Sequence, residues 1–527
     1  MKDPFCSYYT HSPEICEWLT AKLEIEDGDI LLDPSAGDGA LIDAVLATGK
    51  TVRIDALETN PEAVKGLLAK YGSRSDLRFQ KRRQLTAGVG TVTDRSRLVL
   101  KETDTLTDQD LDRFVREGGH YDKIIANPPY GAWQDQERRE ALKARFPGHY
   151  VRETYSLFLL RALSLLKPSG KLSFIIPDTW LYLNLHAALR RTIFSESAIE
   201  DVLIFPSSFF PGLSFGYSSL SMVTLRKCST QSALESSFRV FKGFRSPADF
   251  RWILKGRAPD YLERFCLKQS AVLEHPRAQV ILGTASTRSL HKTPGTTLGD
   301  VASVVTGLCT GDNRRFIRVK DALVSGGRAY ETVNPARVRR TINDDEKRDG
   351  VDSREAWIPY VKAAPKRPYA PASEAWFLRW DRATVSFYQT DKKARFQNPG
   401  FYFRAGLGIP MVKSKRIRAF LIEESVFDQS IVGIFPKDAE RRLYLLALMN
   451  SSVVNDLIHE LNPTANNSAN YVKAIRYREP EEAVRLLIEA KVRELLKAEA
   501  AGDRAGADAI HEEIDRVIEA LYRGEKA

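Results

Sequence analysis

Short apolar runs alternate with stretches of helical periodicity through the first 235 residues, and this alternation constrains the fold more than any other feature of the chain. Strands separated by helices are the pattern of a mostly parallel sheet covered by helices on both faces. We therefore expect an α/β domain that binds its ligands at the carboxyl ends of the strands. The runs assigned to strands are 29–32, 52–57, 98–100, 123–126, 170–177 and 218–225.

The strand at 123–126 leads directly into Asn127-Pro128-Pro129-Tyr130. The Asn127 side chain offers a carbonyl oxygen, and the Asn–Pro link leaves a backbone carbonyl that no following N–H can claim, because proline has none. The ring of Tyr130 offers a flat face for stacking. Such a set suits a planar nitrogen with two hydrogens, for example the exocyclic amine of adenine. The alternative interpretation is a tight surface turn.

A second turn follows the strand at 29–32 and reads Asp33-Pro34-Ser35-Ala36-Gly37-Asp38-Gly39. Gly37 and Gly39 allow the backbone to approach a ligand without a clash from a Cβ atom. The third glycine of a dinucleotide-binding loop is absent, and no Gly-Lys-Ser/Thr follows as in a P-loop. The acid at the strand end favours a cationic or amine-bearing ligand over a pyrophosphate. A plain turn is the alternative.

Acidic residues also follow the next two strands. Glu58 ends the strand at 52–57, where an acid can bind both hydroxyls of a ribose. Asp104 follows the strand at 98–100 and is placed to accept a hydrogen bond from an adenine amine. The alternatives are a solvated carboxylate at Glu58 and, at Asp104, a helix cap before Leu106.

The order of these motifs resembles the TaqI-type, or gamma-class, N6-adenine DNA methyltransferases, which use S-adenosylmethionine. Members of that family carry an N-terminal threonine motif, which is matched here by Tyr8-Tyr9-Thr10 with Pro13. The inserted pair His11-Ser12 departs from the family pattern. The resemblance implies that catalysis involves Asn127, Pro128, Pro129 and Tyr130. The implied cofactor contacts are Thr10, Asp33, Ser35, Ala36, Gly37, Gly39, Glu58, Asp104 and Asn127.

The resemblance also implies that an aromatic residue just before the strand at 218–225 stacks on the opposite face of the target base. Phe210 is the best match, and Phe205 and Phe209 are the neighbouring candidates. A place in the hydrophobic core is the alternative for each of the three rings.

The length of 527 residues predicts two or three domains. We expect a Rossmann-like class I methyltransferase domain at 1–235, with a mostly parallel seven-stranded sheet, and a mixed α+β target-recognition domain at 236–478. The segment at 479–527 is predicted to be helical and to dock onto the body of the protein, with a partner-binding helix as the alternative. Its apolar face contains Ile514, Val517, Ile518 and Leu521.

The net charge of +10 comes almost wholly from the middle of the chain. Residues 231–478 contain 41 basic and 25 acidic side chains, whereas residues 1–230 contain 29 and 30. Such an excess is typical of a phosphate-binding surface, and a merely soluble basic domain is the alternative. Basic side chains can hold phosphates or bind guanine edges, and the sequence does not distinguish the two. The DNA-binding candidates are Arg314, Arg315, Lys415 and Arg416.

Two patterns in the basic segment resemble the specificity regions of the same methyltransferase class and of phage-defence (BREX-type) adenine methyltransferases. One covers 306–314, and the other covers 446–451 together with 461–464. The resemblance implies duplex DNA as the substrate, base flipping, and a role in restriction–modification or phage defence. A cognate restriction endonuclease or defence-system proteins are the implied partners.

The remaining features restrict the class of protein. The five cysteines are scattered and form no Cys-x-x-Cys pair, so we expect no disulfide framework, no zinc site and no catalytic metal. No apolar stretch reaches the roughly 18 residues of a membrane span. The N-terminus lacks an apolar signal segment. We therefore expect a cytoplasmic, nucleoid-associated protein of a prokaryote.

Three other functions remain as alternatives. Protein glutamine methyltransferases use the same Asn-Pro-Pro-Tyr turn, but they are much shorter and lack a large basic second half. Methylation of adenine in RNA is the second alternative. The third is a DNA-binding subunit that keeps the fold without catalysis.

Overall fold

The chain folds into two compact units, residues 1–282 (unit 1) and 283–527 (unit 2). This division lies beyond the boundary expected at residue 235, because two strands after that residue join the sheet of unit 1. Each unit has its own hydrophobic core. The computed structural model describes residues 10–86, 94–130, 134–210, 219–283, 295–412, 416–461 and 466–524.

Unit 1 contains one ten-stranded sheet. Its strands are β1 (Ile30–Asp33), β2 (Arg53–Glu58), β3 (Arg78–Lys81), β4 (Arg97–Glu102), β5 (Tyr121–Ala126), β6 (Leu166–Pro177), β7 (Ser197–Pro206), β8 (Ser219–Lys227), β9 (Ser237–Lys242) and β10 (Glu263–Lys268). Their order is β10-β9-β7-β8-β6-β5-β1-β2-β4-β3. β8 is antiparallel to both neighbours and β10 to β9, whereas the other pairs are parallel. The seven strands from β7 to β4 match the expected seven-stranded sheet, and six of them correspond to the runs assigned from the sequence, with β7 as the seventh. β3, β9 and β10 extend the sheet at its edges.

Helices connect these strands and bury their apolar sides in the core. They are α1 (Pro13–Leu23), α2 (Ala40–Leu46), α3 (Pro61–Tyr71), α4 (Gln109–Arg116), α5 (Gln136–Arg145), α6 (Thr154–Leu165), α7 (Ala187–Glu196), α8 (Thr230–Glu235), α9 (Asp249–Leu254) and α10 (Gln269–Leu273). α1 illustrates how the sequence sets a helix start. Pro13 fits the first turn, where its missing N–H is not needed, and the Ser12 hydroxyl accepts a hydrogen bond from the Ile15 N–H.

The candidate site lies where β1 and β5 meet at the centre of the sheet. Leu32 of β1 and Ile124 of β5 are in register. β2 lies on one side of β1 and β5 on the other, so the strand order reverses there. Open α/β sheets bind ligands at the carboxyl ends of the strands beside such a reversal. The turns at 33–39 and 127–130 both lie at this point.

Unit 2 is a mixed α+β structure with two four-stranded sheets, ordered β11-β18-β15-β16 and β12-β14-β13-β17. The strands are β11 (Ala302–Thr306), β12 (Ile317–Val319), β13 (Trp357–Val361), β14 (Trp376–Arg379), β15 (Gly406–Pro410), β16 (Phe420–Ile422), β17 (Val426–Phe427) and β18 (Ile431–Pro436). The helices are α11 (Leu298–Val301), α12 (Asn313–Phe316), α13 (Asp344–Asp349), α14 (Arg382–Thr390), α15 (Arg442–Asn450), α16 (Ser452–Leu461), α17 (Ala469–Lys473), α18 (Glu482–Ala501) and α19 (Arg504–Arg523). Across the described ranges, no helix has the length and apolar character that a bilayer crossing requires.

The two C-terminal helices, α18 and α19, dock onto the rest of unit 2. The Arg367 guanidinium lies 2.9 Å from the Glu499 carboxylate and 2.7 Å from that of Asp508. Ile514 and Ile518 are fully buried. The predicted helical tail is confirmed, and ion pairs as well as its apolar face hold it in place.

Candidate active site

The turn after β5 is held by side chains from three other segments. The Ser35 hydroxyl donates to the backbone carbonyl of Asn127 at 3.3 Å, and the Thr154 hydroxyl donates to that of Pro129 at 3.0 Å. The side-chain amide nitrogen of Asn127 donates to the Thr10 hydroxyl at 3.0 Å. The cofactor turn, the segment before α1 and the start of α6 therefore all fix the geometry of this turn.

Two oxygens of the turn can receive a ligand. No hydrogen bond joins the Pro128 carbonyl oxygen to any residue within the described ranges. Asn127 Oδ1 accepts a hydrogen bond from the Tyr130 hydroxyl, which also lies 2.8 Å from the carbonyl oxygen of Ile175. A phenol has a single proton, so it can serve only one of these oxygens well at a time. If the proton turns to Ile175, Asn127 Oδ1 can accept from a ligand instead.

The ring of Tyr130 is only 3% exposed and meets Tyr155 edge to face at 6.5 Å. In this conformation its faces are covered by protein. Stacking on a base, the predicted role of Tyr130, therefore requires the neighbouring side chains to move. The phenylalanine predicted to face it, Phe210, is also buried. Phe205 and Phe209 stack on each other at 5.8 Å, and both pack against Phe250, which gives these two a core role.

Asp33 ends β1 with one bonded and one unbonded carboxylate oxygen. Its Oδ1 accepts the Ser35 N–H at 3.1 Å, whereas Oδ2 is buried and has no hydrogen-bond partner among the described residues. Burial raises the pKa of Asp33 to about 7, and the nearby negative charges of Glu58 and Asp38 raise it further. A buried oxygen without a partner is costly, so this position favours a ligand that donates hydrogen bonds and carries positive charge.

Glu58 closes the turn at 33–39 onto the end of β2. Its carboxylate accepts the backbone N–H groups of Gly37, Thr59 and Asn60 at 2.7, 2.8 and 2.7 Å. The Ala36 N–H also donates to the Leu57 carbonyl at 2.9 Å. A carboxylate has about four acceptor positions, so Glu58 keeps capacity for a ligand hydroxyl. Together with Asp33 it fits a ligand that carries a cationic group and a diol.

The structure gives a reason for glycine at position 39 besides the close approach to a ligand that was expected from the sequence. Its φ is +82°, and a Cβ atom there would lie 2.4 Å from the Tyr71 hydroxyl. The Tyr71 hydroxyl donates to the Gly39 carbonyl or to Asp43. The glycine therefore makes room for α3 as well as adopting a left-handed backbone, and close approach to a ligand is not needed to explain it.

Thr10 and Asp104 both have protein partners in this structure. Thr10 is buried and holds Asn127, so its hydroxyl contacts the residue predicted to be catalytic. Asp104 accepts the Leu106 N–H at 3.0 Å and lies 2.8 Å from the Arg138 guanidinium. Asp104 therefore closes a turn and does not cap a helix, since the N-cap of α4 is Asp108. Binding of an adenine amine would compete with Arg138.

A group of hydrogen-bonded side chains near the turn at 127–130 was not predicted from the sequence. Tyr155 hydrogen-bonds Thr179 at 2.8 Å and His186 at 2.9 Å, and His186 also bonds Glu153 at 3.0 Å. Asp178, directly after β6, is buried, and burial raises its pKa to about 7. Asp178 follows a long apolar run just as Asp33 does, so the same signal was available. Nothing local in the sequence marks the other four.

The predicted DNA-binding residues of unit 2 lie in two places. Arg314 and Arg315 are exposed on α12. Arg416 is exposed and lies near His511 of α19. Burial lowers the pKa of His511, and the positive charge of Arg416 lowers it further. Lys415 lies outside the described residues, as do Tyr8 and Tyr9 of the threonine motif and most of the pattern at 461–464.

Comparison with protein families matches residues 57–210 to the Eco57I restriction-modification methylase model. This part of the chain is therefore similar to Eco57I-type methylases. The match includes Glu58 and the turn at 127–130. The type II methyltransferase M.HincII of Haemophilus influenzae is 28% identical over 101 residues, which is 18% of this chain and 20% of the relative. M.TthHB8I of Thermus thermophilus is 28% identical over 112 residues, which is 18% of this chain and 24% of the relative.

Solved structures share the fold over a larger part of the chain. The type ISP restriction-modification enzyme LlaGI, solved as a nuclease-deletion mutant with a DNA substrate mimic, has a TM-score of 0.54 and 14% identity, covering 93% of this chain and 46% of that one. The DrdV–DNA complex has a TM-score of 0.51 and 13% identity, covering 94% and 57%. This chain thus spans less than two thirds of each of these relatives. The similarity shows a shared fold, and the mostly parallel sheet of unit 1 with helices between its strands confirms the expected α/β fold class.

Proposed function

We propose that this protein is a site-specific DNA methyltransferase that transfers a methyl group from S-adenosylmethionine to the exocyclic N6 of an adenine flipped out of duplex DNA. One observation carries the proposal. The Pro128 carbonyl and Asn127 Oδ1 are two acceptors at the end of β5, and the Ser35–Asn127 hydrogen bond joins their turn to the turn at 33–39. The methylase family of residues 57–210 supports the same conclusion.

Asp33 and Glu58 are the residues that would hold the cofactor. S-adenosylmethionine supplies an electrophilic methyl group on a positively charged sulfonium. Asp33 Oδ2, buried and without a partner among the described residues, suits its positive charges, and Glu58 suits its ribose hydroxyls. The hydrogen bonds that Glu58 already accepts from the backbone keep its carboxylate fixed for that contact.

The turn acts on the nucleophile. The amine of adenine is a weak nucleophile because its lone pair is delocalised into the ring. Asn127 Oδ1 and the Pro128 carbonyl would each accept one N–H, which fixes the direction of the nitrogen and favours a tetrahedral geometry. Catalysis then depends mainly on alignment of the reacting atoms. Neither histidine nor carboxylate has to remove a proton before attack.

In a duplex the target amine is paired with thymine and the ring of its base is stacked, so the base has to rotate out at a cost of a few kcal/mol. Stacking of the extruded base on aromatic side chains recovers on the order of 1–3 kcal/mol per base. Tyr130 and Phe210 are the candidates, after rearrangement of the buried rings described above. We assign target recognition to the basic second half of the chain and a biological role in restriction–modification or phage defence, alongside a cognate endonuclease or defence-system proteins.

Sequencing of genomic DNA from cells that express the protein tests this function. Detection of N6-methyladenine at one sequence motif, absent from cells without the protein, is the expected result. Methyl transfer to structured RNA or to a protein glutamine, with no methylated adenine in DNA, would contradict the proposal. Cofactor binding without any transfer would identify a non-catalytic subunit.

A further inference from the structure

Five exposed cations lie together on unit 2 where segments distant in sequence meet. Two of these residues lie in α12, and the other three follow α14 and were not candidates from the sequence. We name this group the cationic patch. It consists of Arg314, Arg315, Lys392, Lys393 and Arg395.

Backbone contacts bring the two halves of the cationic patch together. Cys309 and Arg395 exchange backbone hydrogen bonds of 3.2 and 2.8 Å. Gly311 has a φ of +76°, and a Cβ atom there would lie 2.9 Å from the backbone nitrogen of Ala394. The glycine therefore allows the segment before α12 to lie directly against the segment that contains Lys393. These contacts involve backbone atoms, so they fix the surface independently of the charged side chains.

Aromatic packing fixes the other side of the cationic patch. The rings of Phe316 in α12 and Phe387 in α14 lie 5.0 Å apart. The Arg315 guanidinium lies 4.8 Å from the Phe316 ring and 5.2 Å from the Phe387 ring. A guanidinium held over aromatic rings keeps its charge at the surface with a restricted side-chain conformation.

The charges of the cationic patch are not neutralised within unit 2. Among the described residues, no carboxylate forms an ion pair with any of the five. The two neighbouring acids, Asp312 and Asp391, accept backbone N–H groups of Arg315 and Lys393 at 3.2 and 2.8 Å. Other exposed arginines of unit 2 behave differently: Arg340, Arg348 and Arg382 each pair with a carboxylate.

We propose that the cationic patch binds consecutive phosphates of the duplex DNA backbone, and that it contributes affinity and orientation without discriminating between bases. This inference rests on the proposed function, because it takes DNA as the substrate. Base-edge contacts require a side chain that enters a groove, whereas phosphate neutralisation requires exposed cations on a firm surface. The short α12 is packed against α14, with Phe316 buried, which fits the second requirement.

The test compares two triple variants of the full-length protein. The first is Lys392→Ala, Lys393→Ala and Arg395→Ala, which removes three patch charges and leaves the backbone contact between Cys309 and Arg395. The matched control is Arg340→Ala, Arg348→Ala and Arg382→Ala, which removes three charges that are paired with carboxylates. Binding of a duplex containing the motif found by genome sequencing is measured by fluorescence anisotropy at several salt concentrations, beside a scrambled duplex and a structured RNA.

Each phosphate contact contributes about 0.9 to the slope of log affinity against log salt concentration. The patch variant is expected to bind duplex DNA with a slope reduced by roughly 2 to 3, whereas the control keeps the wild-type slope. The ratio of affinities for the two duplexes is expected to stay within about twofold of wild type, because phosphates are identical in both sequences.

Three results would overturn the inference. An unchanged salt slope in the patch variant removes the phosphate role, and a collapsed preference for the motif assigns these residues to base contacts instead. A loss confined to the RNA identifies a different partner. Failure of the proposed function gives a different result, because the wild-type protein itself would then neither bind nor methylate duplex DNA. The patch variant is expected to bind S-adenosylmethionine as wild type does, as measured by calorimetry.

Discussion

The side-chain amide of Asn127 has a different partner at each end, with the Thr10 hydroxyl at its nitrogen and the Tyr130 hydroxyl at its oxygen. Asn127→Ala removes one of the two acceptors proposed for the target amine. Loss of a single well-placed polar group that acts on the reacting atoms typically costs about 10²–10³ in turnover. We expect a loss of that size in single-turnover methylation of DNA, with wild-type binding of S-adenosylmethionine by calorimetry. Asn343→Ala, which removes a helix cap in unit 2, serves as the control; near-normal turnover of the Asn127 variant would remove the amide from the mechanism.

Asp33 gives the protein a pH dependence whose sign follows from burial. Its folded-state pKa is raised to about 7, so between about pH 4 and pH 7 the folded protein binds a proton that the unfolded chain has lost. The free energy of unfolding therefore falls as the pH rises through this window. Above it, the folded protein carries the full free-energy cost of a buried, ionised Asp33. Three pH units correspond to about 4 kcal/mol as an upper limit.

Asp33→Asn is expected to remove the free-energy cost of the buried charge, because an amide does not ionise. The variant should unfold at a higher temperature than wild type at pH 8, and the two should converge near pH 4, as measured by thermal unfolding in matched buffers. Asp178, whose pKa burial also raises to about 7, contributes to the dependence that remains. The same variant should bind S-adenosylmethionine weakly at every pH, whereas wild type should lose affinity only as the pH falls below about 7. Equal affinities in the two proteins would place the cofactor away from Asp33.

At the scale of elements, the hydrogen bond between Thr10 and Asn127 joins the segment before α1 to the turn at 127–130. Thr10→Val keeps the shape of the residue and removes the hydroxyl that contacts Asn127. If Thr10 positions Asn127, kcat should fall by about tenfold, the equivalent of about 1.4 kcal/mol, with the KM for S-adenosylmethionine unchanged. Thr10→Ser, which keeps the hydroxyl, is expected to restore kcat. A raised KM for the cofactor with normal kcat would support the direct cofactor contact instead.

The strands β1 and β5 and the turns after them were predictable from the sequence, because each is recognised from residues that are adjacent in the chain. The apolar run at 123–126 and the prolines after it determine β5 and its turn, and Asp33 likewise follows an apolar run. Contacts between distant segments were not predictable in this way. Arg138 pairs with Asp104, and Tyr71 is the reason that Gly39 lacks a side chain. Both depend on helices packing across the sheet, which no local pattern encodes.

The contrast between strands with a clear local signal and strands without one also explains why the sheet is wider than predicted. The six strands assigned from the sequence follow from buried apolar runs, which are easily recognised, whereas β7 was expected only as part of a seven-stranded sheet. β10 is an edge strand, and most of its residues are exposed. It therefore lacks the continuous apolar run of a central strand, and the end of the clear alternation near residue 235 placed the domain boundary before the sheet was complete.

At the scale of the whole molecule, the unit boundary predicts where the chain can be divided. A fragment of residues 1–282 keeps the entire sheet and is expected to bind S-adenosylmethionine by calorimetry while losing sequence-specific DNA binding by gel shift. A fragment of residues 1–235 loses β9 and exposes the edge of β7, so we expect it to aggregate. Retained motif preference in the longer fragment would argue against target recognition by unit 2.

The phenolic proton shared between Asn127 and Ile175 has a consequence for base choice. The Tyr130 hydroxyl donates to Asn127 Oδ1, so in the proposed reaction the amine of adenine would exchange one hydrogen bond for another without exposing a bare oxygen. A keto base such as hypoxanthine has no hydrogens at that position and would turn its lone pairs toward those of Asn127 and Pro128. Repulsion between oxygens would then weaken its binding, so a duplex with inosine in place of the target adenine is expected to bind less tightly than the adenine duplex. The comparison is made by binding, because inosine has no N6 amine to accept a methyl group.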